Sequence, residues 1–75
     1  MERNEKLREK LMRGSITASE LRAFLRLEGW LLDRTRGSHE FWGNGLRTFV
    51  LATHDKNLKR YQIKQARQIL LAKED

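Results

Sequence analysis

Cysteine is absent from this 75-residue chain. That excludes a disulfide framework and any thiolate metal site. Histidine is scarce: only His39 and His54 are present, too few for a structural zinc site. No apolar run is long enough to span a bilayer. The opening MERNEKLREKLMRG is charged rather than apolar, which is not a signal-peptide pattern, so a cytoplasmic protein with no membrane contact is expected. There is no Walker loop and no GxGxxG, and the carboxylates form neither a catalytic pair nor a metal cluster. Most of them sit beside Lys or Arg on helices, as surface ion pairs do. No metal and no cofactor is expected.

Acidic residues are also in deficit. Sixteen Lys and Arg stand against ten Asp and Glu, for a net charge of +6 and an isoelectric point near 10.3. That balance favours a polyanionic partner, whether RNA, DNA, an acidic membrane or an acidic protein. At this length the chain makes at most one domain with a thin core. Chemistry then belongs on an open surface or a shallow groove. A hydrophobic content of 39% supports a folded domain.

Residues 2–13 read as a helix whose apolar stripe, Leu7 and Leu11 flanked by Met12, is too narrow to fold alone. It must dock, bind a partner or fray. Gly14-Ser15 ends it. Thr17 and Glu20 have the spacing of a capping box for a helix over about 18–28. Leu21, Phe24, Leu25 and Glu28 share one face of that helix, and Gly29 is placed as its stop. Trp30 to Thr35 reads as a first strand and Ser38 to Trp42 as a second. Gly43-Asn44-Gly45 is a hairpin turn, and Leu46 to Leu51 a third strand. Ala52 to Leu58 is a loop. The last helix covers about 59–72, with Ile63, Ala66 and Leu70 at helical spacing. The expected architecture is α+β, with helices packed on a three-stranded antiparallel sheet. The α-β-β-β-α order is that of the double-stranded-RNA-binding domain, here with an extra N-terminal helix over 1–15 ahead of a domain over 16–75.

RGSHEFW carries the candidate chemistry. An unperturbed imidazole accepts and donates protons near neutrality. RNA supplies its own nucleophile, the 2′-hydroxyl, so one base beside a cationic surface could promote attack on the adjacent phosphate. The plain alternative is that His39 is a strand residue with a satisfied hydrogen bond. Gly37 permits a tight backbone just before the histidine. Ser38 can bond locally or to a phosphate. Arg34 and Arg36 lie next to it, and Arg47 is expected to enter from the facing strand. Strand alternation puts His39 and Phe41 on one face, and Glu40 and Trp42 on the other. The sequence leaves open which face the helices cover, and whether Trp42 is core or a platform for stacking bases. His54, in THDKN, is either a partner for His39 or a loop residue.

A helix ending in LEGW, then LLDRTRGSHEFW, a hairpin, FVLATHDKNLK and a basic terminal helix resemble the HicA/YcfA-like toxins of type II toxin–antitoxin pairs. The resemblance covers about residues 16–72. It implies a fold like the double-stranded-RNA-binding domain and a metal-independent mRNA endonuclease blocked by a HicB-like antitoxin. It also implies that His39, in the Gly37-Ser38-His39 motif, is catalytic and that His54 is a second site histidine. Ala52-Thr53 stands where the family's strand-end proline would be, and this chain has no proline. Arg36, Ser38, Lys56, Lys59, Arg60 and Lys64 are the expected RNA contacts. A non-catalytic RNA-binding module and an antitoxin-binding relative are the alternatives.

Overall fold

Thr17 begins the helix whose signals are clearest in the sequence. Its backbone is extended, its Oγ1 accepts from Glu20 N–H at 3.2 Å, and Glu20 Oε1 accepts from Thr17 N–H at 3.0 Å. Both halves of the capping box are therefore made. The computed structural model describes residues 2–52 and 58–71. Its elements are α1 (Glu2–Arg13), α2 (Ala18–Leu27), β1 (Leu31–Arg36), β2 (His39–Gly43), β3 (Thr48–Ala52) and α3 (Arg60–Leu70). The chain is α+β, with an antiparallel sheet ordered β1-β2-β3.

Trp30 corrects the expected start of the first strand. Gly29 takes φ 89, Gly29 N–H donates to Arg26 O at 3.1 Å, and Trp30 N–H donates to Leu25 O at 2.8 Å. This pair of bonds is a Schellman stop, which spends Trp30 on the helix end. Its ring is buried in the same core as Leu25, and β1 starts one residue later. The third strand also starts later than expected, at Thr48 rather than Leu46. Asn44 Oδ1 accepts from Leu46 N–H at 2.9 Å and from Arg47 N–H at 2.7 Å, which draws both residues into the hairpin loop.

The helices cover one face of the sheet. Trp42, Phe49 and Leu51 from that face join Phe24, Leu25, Ile63 and Ala66 in a single core. Trp42 is 1% exposed, so it is core and not a platform for bases. Residues 2–13 dock: Leu7 and Leu11 enter the same core. Polar contacts tie α1 down at both ends. Lys10 pairs with Glu20, while Asn4 and Arg8 reach Glu28. The Lys10 ammonium and the Thr17 N–H together hold the Glu20 carboxyl below its ordinary value.

The two sheet edges differ. The outer edge of β3 is closed by a side chain, since Gln62 Oε1 accepts from Ala52 N–H at 2.6 Å and its Nε2 donates to Val50 O at 3.4 Å. Gln62 is 4% exposed, and its Nε2 also donates to Gln65 Oε1 at 3.2 Å. All six residues of β1 are exposed. Among the described residues no helix is long and apolar enough to cross a membrane.

Candidate nucleic-acid interface

Gly37 and Ser38 form a two-residue hairpin between β1 and β2, because Arg36 pairs with His39. Gly37 has φ 60, and no residue other than glycine has positive φ among those described. Positive φ at the first central position alone is the pattern of a type II′ turn, which matches strand twist and calls for glycine there. His39 follows Gly-Ser because it is the first paired residue of β2. Ser38 belongs to the turn and not to the strand.

Register then decides what surrounds the imidazole. His39 lies between Arg36 on β1 and Ala52 on β3, and Phe41 lies between Arg34 and Val50. Side chains opposite one another in a sheet sit about 5 Å apart. Glu40 and Trp42 point into the helical layer, so the rows Arg36–His39–Ala52 and Arg34–Phe41–Val50 lie on the uncovered face. The Arg34 guanidinium stacks over the Phe41 ring at 4.8 Å from its centroid. Among the described residues no carboxylate pairs with Arg34 or Arg36. An open groove of 640 Å³ continues from Arg34 and Phe41 past Leu31 and Gly43 to Leu46.

A bulge makes this arrangement possible. Leu32 pairs with Trp42 and Arg34 with Phe41, so Asp33 is the extra residue. Each one-residue offset turns the following side chains to the other face. Were the pairing of Leu31 and Leu32 to continue without a break, Arg34 would face the helices. Instead Leu32 faces the helical layer while Arg34 and Arg36 both reach the open face. LLDRTR contains no glycine or other mark of a bulge, so the sequence places Arg34 and Arg36 beside His39 without showing that they share its face.

Glu40 anchors the strand from beneath. Arg22 Nε donates to its two oxygens at 3.1 and 2.9 Å, and Trp42 Nε1 donates to Oε1 at 3.0 Å. Arg26 stacks over the Trp42 ring at 5.3 Å. These contacts hold β2 to α2 directly behind His39.

Other expected site residues lie elsewhere. Arg47 is in the loop at the far end of the sheet from His39, donating to Ile69 O at 3.3 Å, and does not join the His39 row. Lys59 is the N-cap of α3. Arg60 and Lys64 line a separate groove on the helical side. His54 and Lys56 fall outside the described residues. Among those described, no cluster of His, Asp or Glu could hold a metal ion. No family model, curated protein or solved structure matches the chain.

Proposed function

We propose that this chain is an RNA endonuclease toxin of the HicA/YcfA kind, with a fold like the double-stranded-RNA-binding domain. The observation that carries the reading is the row Arg36–His39–Ala52 on the uncovered face of the sheet. A base, an adjacent cation and a small neighbour that leaves room for a ribose stand side by side on a surface a strand of RNA can reach. In the reaction the imidazole of His39 takes the proton of a 2′-hydroxyl. The 2′-oxygen–phosphorus bond forms as the phosphorus–5′-oxygen bond breaks, and the leaving 5′-oxygen takes a proton from solvent. Arg36 lies where it can neutralise charge on the phosphate oxygens. The products are a cyclic phosphate end and a 5′-hydroxyl end, and this route needs no metal.

The partner side of the reading has its own support. The outer edge of β1 is exposed, and Leu31 and Leu46 are exposed apolar residues beside the groove. Both suit an antitoxin that covers the His39 face. A second reading, a binding module without catalysis, is favoured by the Arg34–Phe41 stack. A flat cationic and aromatic surface can stack bases whatever His39 does.

Expression of the wild type and of His39→Ala in a bacterial host separates the two. Growth arrest with fragmented mRNA in the wild type alone supports the nuclease. Intact mRNA with a folded wild type that still binds RNA supports the binding module.

A further inference from the structure

α3 carries a second cationic surface that neither the sheet face nor the core uses. Arg60, Lys64 and Arg67 recur at i, i+4 and i+7 and so form one ridge along the helix. The ridge is about 10 Å long at 1.5 Å per residue. It faces the end of α1, across a groove of 520 Å³ lined by Arg13, Gly14, Arg60, Ile63, Lys64 and Arg67. Four of these six residues are cations and none is acidic.

Arg67 shapes the groove. Its Nε donates to Leu11 O at 3.0 Å, near the end of α1, and its guanidinium lies so close to Gly14 that an added Cβ would come within 3.1 Å of it. The guanidinium is thereby fixed in place before any ligand arrives. Among the described residues Arg13 pairs only with Glu9, at 3.7 Å, with both side chains mostly in solvent. Among the described residues Arg60 and Lys64 have no ion pair. Helices ordinarily place acidic groups in their first turn, where the dipole is positive. α3 has no acidic residue there and no side-chain cap. Cations on both walls with no carboxylate lining the groove, together with a positive helix end, suit an external polyanion.

We propose that this groove is a phosphate-binding track for the backbone of an RNA strand, separate from the surface around His39. The inference rests on the RNA reading above and extends it to a second contact region. Gln62, two residues after Arg60, holds Ala52 N–H, and Ala52 stands opposite His39. The ridge therefore starts at the end of the sheet that carries His39 and leads away over the helical layer. Its length suits a short run of consecutive phosphates on one strand. Three of the four cations are arginines, whose forks take phosphate oxygens two at a time. Ile63 is the one large apolar residue lining the groove, which lacks the cluster of apolar anchors that protein interfaces centre on.

The test uses the full chain and a labelled 2′-O-methyl oligouridylate, which cannot supply the nucleophile. Arg13→Gln and Lys64→Gln are made singly and together, with Lys6→Gln on α1, a residue lining neither groove, as a charge-matched control. Each single groove variant is expected to weaken binding several-fold and to lower the salt slope by about 0.7. The double variant should lower the slope by about 1.4 and multiply the two losses, with unchanged melting, while Lys6→Gln keeps the wild-type slope. Unchanged affinity and slope in the groove variants, with a wild type that binds, overturns the track and leaves the His39 reading standing. Equal losses for polyglutamate and RNA would make an acidic protein the ligand and overturn it too. A wild type that binds no RNA overturns both readings. Groove-dependent binding without cleavage of unmodified RNA overturns the nuclease alone.

Discussion

His39 and Glu40 are neighbours on one strand and live in different worlds. Glu40 points into the helical layer, where Arg22 and Trp42 occupy its carboxylate and only 12% of its side chain reaches solvent. His39 points to the uncovered face, in a row with Arg36 and Ala52. The next pair repeats the contrast. Trp42 is sealed in the core, while Phe41 is half-buried beneath Arg34. One face of β2 holds the fold together and the other is left for a ligand. The two roles should therefore separate under mutation.

The largest stability effect falls on the covered face. Trp42→Ala should cost about 3–5 kcal/mol in denaturant unfolding, from lost burial and the cavity left behind. A domain of this size has a total stability of order 5 kcal/mol, so this variant should keep at most about 2 kcal/mol and be only marginally folded at room temperature. Leu11→Ala should cost about 2–5 kcal/mol, because α1 is part of the same core. A loss well under that would mean that α1 is only loosely attached. Glu40→Gln should cost about 1–3 kcal/mol, since a neutral amide cannot satisfy the bidentate Arg22. Phe41→Ala, on the open face, should cost no more than about 1 kcal/mol of stability while weakening RNA binding. If Phe41→Ala destabilises as much as Trp42→Ala, the division between faces is wrong.

The smallest effect expected is a pH dependence. The Glu20 carboxyl is held low by Lys10 and Thr17 in the folded chain, so its contribution is present above the ordinary glutamate range. That contribution is lost as pH falls from that range through the lowered folded value. Urea melts across mildly acidic pH should show a decline that Glu20→Gln removes.

Local signals made much of this legible. The capping box at Thr17, the stop at Gly29, the apolar spacing of α2 and the strand alternation in HEFW are short-range patterns, and each sets a nearby hydrogen bond or a buried face. What escaped depends on residues far apart. Gln62 looks like an ordinary polar helix residue until the helix lies along β3 and its amide meets the edge. The bulge at Asp33 leaves no compositional mark, yet it sets which arginines flank His39. Arg47 appears close to the site in a simple hairpin, but Asn44 draws it into the loop. Arg13 and Arg67 become one groove only when α1 docks, a placement that a two-leucine stripe does not specify.

The most direct measurement is cleavage of unmodified RNA by the purified wild type and by His39→Ala, both in EDTA and both checked for unchanged melting. The account predicts cleavage by the wild type that leaves cyclic phosphate ends, and a drop of about 10²–10⁴-fold in the variant, the usual contribution of a general base. Equal cleavage by the two proteins, or none by a folded wild type, would contradict it.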